Sequence, residues 1–339
     1  MKRKNPGFLD LLESFFTDYI PYSAGLSANT IKSYKYAFRL LMKYLFKMKN
    51  IDSGSVTFKT LDLETITGYL NWLEQVRGCG IATRNQRLTA LSSFAAYAQN
   101  RTLEAAVFSN SVDRVPVKTQ AVSPRTVFSL DDVAVLLCLP DQNTAIGLRD
   151  CVLLNVMYAS GARAQEVCDL TVRDVLFQKD AAKLTLTGKK QKTRRINIAR
   201  PCAVLLNHYL EHRGISKQLD RHVFSSQTHE HMKTSCITEI FKKYVNLAKE
   251  QNPTLFREAK YSPHSMRHTT ATHMLEAGVP LMAIKNFLGH ASIHTTERYA
   301  VLTQATVNNY ICEWNSKWFP QTVNIPDTPC DNPLPEYLL

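Results

Sequence analysis

The sequence has no long apolar run and no closely spaced pair of cysteines. No stretch approaches the roughly 20 apolar residues of a bilayer-spanning helix. The basic start, residues 1–6, is followed by an amphipathic segment with acidic residues instead of a signal-peptide core. None of the 8 cysteines forms a C-x-x-C pair, and several lie among apolar neighbours, as free buried thiols do. We therefore expect a soluble, cytoplasmic protein.

Acidic residues are scarce relative to basic ones. The 339 residues include 41 Lys and Arg against 29 Asp and Glu, a formal net charge of +12. Residues 1–110 hold 14 basic and 8 acidic residues, a net charge of +6. This excess favours a polyanionic partner, with nucleic acid first, although an ordinary basic protein can show the same balance.

The length and the patterning predict two domains. Residues 1–110 read as helical throughout: apolar residues recur at helical spacing from Phe8, and Ser27 caps a long amphipathic helix with a basic face. Further helices are expected over residues 61–75 and 82–98. If the basic faces are more than solvated surface, the nucleic-acid contacts of this domain are Lys32, Lys35, Arg39, Arg84 and Arg87.

Residues 111–127 show no clear period and contain proline, so we interpret them as a linker. Residues 128–320 predict a mostly helical domain with a small β-sheet. A helix capped by Ser129 opens it, a second helix ends at Gly161, and a β-hairpin covers residues 181–198. The Pro-rich tail, residues 321–339, has no basic residue and is expected to be extended or disordered when alone.

Two stretches of the second domain carry suitable groups for binding phosphate. Arg163 follows the helix-breaking Gly161, so its guanidinium is expected to point outward beside free backbone N–H groups, with Glu166 one turn on to hold it. Such a pair is also a common structural salt bridge. The second stretch is a cation-rich hairpin tip, which either grips phosphate or is a solvated turn. Residues 188–195 hold five cations, of which the candidate contacts are Lys189, Lys190, Lys192 and Arg194.

Two further stretches add histidines, an arginine and a tyrosine. His264, Arg267 and His268 share one helical face. His290 follows a Leu-Gly turn, and Tyr299 stands nine residues later. Taken alone, each residue also fits a structural role: His290 that of a helix cap, and Tyr299 that of a partly buried helix residue.

A metal site is the alternative reading of the histidines. His264 and His268 are four residues apart, as in helical zinc sites, but Arg267 lies between them and the glutamate that hydrolysis needs is missing. The run His229-Glu230-His231 lies in a polar loop with no third ligand nearby. We therefore expect no metal.

In this order and spacing, the motifs resemble the signature of the tyrosine recombinases, which include phage integrases, Xer-type resolvases and transposon-borne recombinases. The elements are Gly-x-Arg-x-x-Glu, a hairpin lysine, His-x-x-Arg-His, Leu-Gly-His and a tyrosine. The similarity covers residues 128–315 as motifs. It extends to residues 1–110 as architecture, because the family usually has a helical core-binding (SAM-like) domain there. The resemblance implies a two-domain clamp on duplex DNA, with an α+β catalytic domain.

The resemblance also implies residue roles. Arg163 and Arg267 would clamp the scissile phosphate, Lys189 would protonate the leaving 5′-oxygen, His264 would act as base or proton shuttle, His290 would bind phosphate, and Tyr299 would be the nucleophile. Glu166 and His268 would support them. Lys190 replaces the usual second glycine of the turn, so Lys190 and Lys192 stay open as alternatives to Lys189.

The implied reaction is two strand exchanges through a Holliday junction with 3′-phosphotyrosyl intermediates. It needs no cofactor, because the phosphotyrosyl bond keeps the energy of the broken linkage. The expected partners are double-stranded DNA, other copies of the chain in a synaptic tetramer, and in some systems partner recombinases. Residues 306–318 are the candidate for docking on a neighbour. A non-cutting DNA-binding protein and a topoisomerase-like relaxase are the alternatives. A mobile-element role is favoured over resolution.

Overall fold

The computed structural model describes residues 6–119, 126–179, 181–188, 192–258 and 260–290. The chain divides into two compact units, residues 1–123 and 124–339. The described part is mostly helical, with one three-stranded sheet in the second unit. The predicted fold class is thereby confirmed. None of the described helices is both long and apolar enough to cross a membrane.

The first unit is built from five α-helices in the part of it that the structure describes. They are α1 (Phe8–Ser14), which continues into a π-helical segment (Phe15–Ser23), α2 (Ala28–Lys49), α3 (Leu63–Gln75), α4 (Ile81–Gln99) and α5 (Ala105–Asp113). The predicted cap is present, since Ser27 Oγ accepts the backbone N–H of Thr30 at 3.3 Å.

Aromatic side chains fill the core of this unit. The Phe94 ring on α4 lies at its centre and contacts Phe8, Phe15 and Phe38 at centroid distances of 5.4, 5.3 and 5.3 Å. The rings meet edge to face, the arrangement that the quadrupole of an aromatic ring favours. These ring contacts join α1, α2 and α4, and they fix the position of α2, whose opposite face is basic.

The start of the predicted linker belongs to this unit. Helix α5 runs to Asp113, because Val112 still packs into the core. Residues beyond it are bound to α4: Arg84 Nη1 donates to Pro116 O at 2.8 Å, and Asn85 Nδ2 donates to Lys118 O at 2.8 Å. The expectation of a linker from residue 111 is therefore corrected, since residues 111–118 pack on the first unit.

In the second unit, helices precede and follow the small sheet along the chain. The elements are α6 (Leu130–Cys138), α7 (Ala145–Ser160), α8 (Ala164–Cys168), β1 (Val175–Gln178), β2 (Ala181–Thr187), β3 (Thr193–Ala199), α9 (Arg200–His212), α10 (Thr234–Gln251), α11 (Pro263–Glu276) and α12 (Leu281–Leu288). The strands are antiparallel in the order β1-β2-β3. Strand β1 was not predicted, because its four residues are mostly exposed and do not alternate.

Helix α7 is the central element of the second unit. It is buried on most of its surface and packs against α9, α11 and β3. Its ends are defined by the sequence: Thr144 Oγ1 caps the first turn, and Gly161 ends the last one in the left-handed region. Arg163, a candidate site residue, lies two residues after this glycine.

Candidate active site

The turn after α7 requires a glycine. Gly161 has φ +55, and a β-carbon at this position would lie 2.8 Å from Cδ2 of Leu288. The turn therefore packs tightly against the end of α12, which an L-residue would obstruct. Through this contact the segment that carries Arg163 lies next to the segment that leads to His290.

Arg163 and Glu166 form the ion pair that their spacing predicts. Arg163 Nη1 lies 2.8 Å from Glu166 Oε1, and the backbone N–H of Arg163 donates to Oε2 at 2.8 Å. The side chain of Glu166 is 2% exposed, whereas that of Arg163 is 41% exposed. The carboxylate thus anchors the base of a guanidinium whose remaining N–H groups face outward.

Arg194 also binds Glu166, and this was not expected. Its Nη1 and Nη2 donate to the two carboxylate oxygens, each at 2.8 Å, and its Nε donates to Phe287 O at 3.0 Å. Only 11% of this side chain is exposed. The prediction of Arg194 as a DNA contact is corrected accordingly, because its guanidinium points into the protein.

The charge of Glu166 is stabilised by these two arginines. Burial on its own raises the pKa of the carboxyl group, but the hydrogen bonds from Arg194 and Arg163 outweigh burial and lower the pKa to about 2. Glu166 is therefore ionised at neutral pH. The cluster contains two positive groups and one negative group, and its formal charge is +1.

The hairpin between β2 and β3 starts beside Arg163. A β-carbon on Gly188 would lie 3.1 Å from Glu166 Oε1 and 3.8 Å from Arg163 Nη1, and Gly188 N donates to Lys192 O at 2.9 Å. Lys189 and Lys190 lie outside the described residues. Lys192 is exposed. The described start of this turn, Gly188, therefore lies beside Arg163.

Arg267 is buried between two turns. It is 1% exposed, its Nη1 donates to Gly161 O at 2.6 Å, and its Nη2 donates to Leu288 O at 2.5 Å. The two carbonyl groups come from the residues two positions before Arg163 and two before His290. Arg267 thus ties these segments together, while α11 sets its position.

Two of the three histidines of α11, His264 and His268, lie side by side on one face of the helix. The His264 and His268 rings are 4.3 Å apart between centroids, and His264 is exposed whereas His268 is buried, with 8% of it exposed. The α11 start is fixed by Ser262, whose Oγ accepts the N–H of Ser265 at 3.3 Å. His264 is therefore the more accessible of the pair to solvent or a substrate.

His290 follows a helix end of the Schellman type. Gly289 has φ +66, and His290 N donates to Lys285 O at 3.1 Å. His290 is 6% exposed. Tyr299, the docking candidate over residues 306–318 and the tail over residues 321–339 lie outside the described residues.

The predicted DNA contacts of the first unit fall into two groups. Lys32, Lys35 and Arg39 lie along one face of α2 and line a shallow groove. Arg87 donates to Ser33 Oγ at 3.1 Å from a partly buried position. Arg84 is 3% exposed and holds Pro116, and burial lowers its pKa. Arg84 is therefore not on the exposed basic face, contrary to expectation.

The described residues contain no group of three or more His, Cys, Asp or Glu arranged to hold a metal ion. The alternative metal ligands are engaged elsewhere: His231 Nε2 lies 2.9 Å from Asp169 Oδ1, and His229 Nδ1 lies 2.7 Å from Thr228 Oγ1. The chemistry that the site itself offers is a set of guanidinium and imidazole groups, which suits an anion such as a phosphodiester.

Two family descriptions together match most of the chain. The phage integrase family matches residues 127–306, and the phage integrase SAM-like domain matches residues 8–106. The chain belongs to the phage integrase family. It is a tyrosine recombinase by this membership and by its relatives.

The relatives cover nearly the full length of the recombinase. A putative integrase/recombinase, y4rC, of Sinorhizobium fredii is 31% identical over 304 residues, which are 89% of this chain and 90% of that protein. The tyrosine recombinase XerD of Listeria monocytogenes is 28% identical over 299 residues, which are 87% of this chain and 95% of that protein.

Solved structures show the same fold. XerH bound to a palindromic difH substrate, in a post-cleavage complex, matches with a TM-score of 0.68 at 18% identity, over 84% of this chain and 80% of that one. The Tn1549 transposon integrase in complex with transposon right end DNA also matches with a TM-score of 0.68, at 16% identity, over 89% of this chain and 98% of that one.

Proposed function

We propose that this tyrosine recombinase cuts and rejoins duplex DNA at specific sites through a 3′-phosphotyrosyl intermediate on Tyr299. The observation that carries the proposal is the convergence of Arg163, Arg267 and the His290 turn, which are joined through Gly161 O and Leu288 O. The family assignment of the chain and the DNA-bound recombinases with the same fold support it.

The arginines stabilise the transition state of phosphoryl transfer. Attack on a phosphodiester builds negative charge on its non-bridging oxygens, and guanidiniums held in place bind this charge more strongly than the ground state. Arg163 is anchored by Glu166 but its side chain is still 41% exposed, so it binds a non-bridging phosphate oxygen of the DNA. Arg267 is 1% exposed and is held by two backbone carbonyls, so it acts as a fixed positive charge beside the phosphate and needs little reorganisation.

The proton transfers are assigned to His264, Lys189 and Tyr299. A phenol with an ordinary pKa of about 10 needs a base or a positive field to attack at neutral pH. His264 is the most accessible of the three imidazoles of α11 and serves as base or shuttle. The departing 5′-oxygen is a poor leaving group, so the hairpin lysine protonates it. His290 binds the phosphate, and His268 supports His264.

The functional assembly is a synaptic tetramer on two duplexes, which exchanges strands through a Holliday junction. The cations of α2 and of the hairpin loop contribute to DNA affinity through phosphate contacts. Residues 306–318 dock on a neighbouring protomer. A role in the movement of a genetic element fits the resemblance of the chain to integrases.

Covalent trapping tests this proposal. The protein is incubated with nicked duplexes made from the DNA that flanks its gene, and the products are separated under denaturing conditions. We expect a DNA-bound band that persists in denaturant, disappears in Tyr299→Phe and remains in the matched variant Tyr310→Phe. Tight, salt-sensitive binding without a covalent band, with and without added partner recombinases, would instead identify a non-cutting DNA-binding protein.

A further inference from the structure

The side chain of Arg194 lies on the core face of its strand. Along β3 the buried residues alternate, so that Arg194 shares a face with Ile196 and Ile198, whereas Arg195 between them is exposed on the other face. An arginine on a core face needs partners for its N–H groups, since an unpaired buried charge is costly.

Those partners come from two other segments of the site. Two nitrogens of Arg194 bind both carboxylate oxygens of Glu166, and the third binds the carbonyl of Phe287 near the end of α12. The following turn encloses the side chain, because a β-carbon on Gly289 would lie 2.9 Å from Arg194 Cδ. One side chain therefore joins the hairpin strand, helix α8 after Arg163 and the turn before His290.

We propose that Arg194 is a positioning residue: it holds Arg163 and the His290 turn in catalytic geometry and keeps the positive charge of Arg163 available to the scissile phosphate. The inference rests on the proposed function. In this role Arg194 acts through Glu166, Arg163 and the His290 turn and does not contact DNA.

The charge balance explains why a second guanidinium is needed. Glu166 and Arg163 alone form a neutral pair, and a carboxylate 2.8 Å from Arg163 would offset much of its attraction for phosphate. Arg194 shares that carboxylate and restores a net charge of +1 to the cluster. It also satisfies both carboxylate oxygens, so that Glu166 does not compete with the substrate for further N–H groups of Arg163.

Lysine cannot replace this arginine. A guanidinium binds both carboxylate oxygens in a planar fork and still presents Nε to the carbonyl of Phe287, whereas an ammonium is a single point charge. Arg194→Lys keeps the charge on the hairpin but loses at least one of the three links. A DNA contact that needs only positive charge would tolerate the same change.

The test compares Arg194→Ala and Arg194→Lys with the matched variant Arg195→Ala, in the adjacent exposed position. The first-order rate of covalent complex formation is measured at saturating nicked DNA. DNA affinity and its salt dependence are measured in a Tyr299→Phe background, where cleavage does not contribute. Circular dichroism and thermal unfolding report the folded fraction of each variant at the assay temperature.

We expect both Arg194 variants to show a saturated rate about 100-fold below that of the parent, the scale of a small misplacement of catalytic groups. Their DNA dissociation constants stay within about threefold of the parent and their salt slope is unchanged, since Arg194 neutralises no phosphate. Arg195→Ala retains the parent rate at saturating DNA.

Three results would overturn the inference. One is a normal saturated rate in Arg194→Ala with weakened, less salt-dependent binding, which identifies a DNA contact. Another is restoration of the parent rate in Arg194→Lys, which shows that the bridging geometry is dispensable. The third is a rate in Arg195→Ala as low as that of the Arg194 variants, which would show that any substitution in this strand slows cleavage. If Arg194→Ala does not fold, the rate of Arg194→Lys alone tests the inference. Failure of the parent protein to form any covalent complex counts against the proposed function instead.

Discussion

At the residue scale, a single buried carboxylate holds two guanidiniums. Glu166 binds Arg163 from its own turn and Arg194 from the neighbouring strand, with four hydrogen bonds at 2.8 Å. Its pKa falls from the ordinary 4.5 to about 2 in the folded protein. The ionised form therefore stabilises the fold at every pH above the pKa of the unfolded chain.

This depressed pKa predicts an acid-dependent stability. Because the pKa in the folded state lies below that in the unfolded chain, the contribution of Glu166 is complete at neutral pH and is lost as the pH falls from about 5 towards 2. The loss is about 1.4 kcal/mol per pH unit within this window. The difference in unfolding free energy between the parent and Glu166→Gln, measured with urea from pH 7 to pH 3, should therefore shrink below pH 5. A difference that stays constant would contradict the assignment.

The sequence predicted which polar residues belong to the site better than it predicted where their side chains point. The spacing of Arg163 and Glu166 within one turn sufficed to predict their contact. Arg194 was assigned to DNA as one of several cations, although its place two residues before Ile196 already set it on the core face of the strand. Arg84 has no such signal, because its partner is the carbonyl of Pro116, 32 residues away.

At the scale of elements, the site depends on how α7 and α12 end. Both helices finish at a glycine with positive φ, Gly161 and Gly289, and each of these turns is packed against a side chain from elsewhere in the site. The helix limits followed from capping residues and could be predicted within a few positions. The contact between the two helix ends is a tertiary feature that local patterns do not contain.

Replacing Gly161 by alanine tests this contact, with Gly214→Ala as its control. Both glycines have positive φ, +55 and +65, so alanine costs roughly 1–2 kcal/mol at either position. Only at Gly161 does the new methyl group meet another atom, Leu288 Cδ2 at 2.8 Å, whereas nothing lies within 4 Å of it at Gly214. We expect Gly161→Ala to lower both thermal stability and the covalent rate, and Gly214→Ala to lower stability alone. If the two variants changed thermal stability equally and the covalent rate equally, the contact between Gly161 and Leu288 would have no role in function.

Strand β1 shows the limit of pattern recognition for small elements. The alternation of β2 and β3 predicted the hairpin, because one face of each strand is buried. Strand β1 has an exposed apolar pair, Leu176 and Phe177, and obtains its order from pairing with β2. Such an edge strand is specified by its neighbour and not by its own sequence.

At the scale of the whole molecule, the excess of positive charge is the most direct link to DNA. The formal net charge is +12, and the cations along the basic face of α2 form part of it. Charge alone left nucleic acid and an ordinary basic protein as alternatives. The order of the motifs along the chain is what distinguished them, since no single motif is specific.

The salt dependence of DNA binding should separate surface cations from buried ones. Replacing Lys32, Lys35 and Arg39 by alanine should reduce the slope of log affinity against log salt by about 0.9 for each phosphate that these cations neutralise. Arg84→Met should leave this slope unchanged and lower the unfolding free energy of the first unit, because Arg84 holds Pro116 from a buried position. A reduced slope in Arg84→Met, measured by titration in increasing salt, would show that Arg84 reaches DNA.

Peptide mapping of the trapped complex tests whether Tyr299 is the residue that becomes covalently linked to DNA. After digestion of the complex with nuclease and trypsin, cleavage behind Arg298 and Lys317 releases a peptide that contains both Tyr299 and Tyr310. Mass spectrometry with fragmentation of this peptide distinguishes the two tyrosines. We expect a nucleotide attached through its 3′-phosphate to Tyr299. A nucleotide on Tyr310 or on any other residue would contradict it.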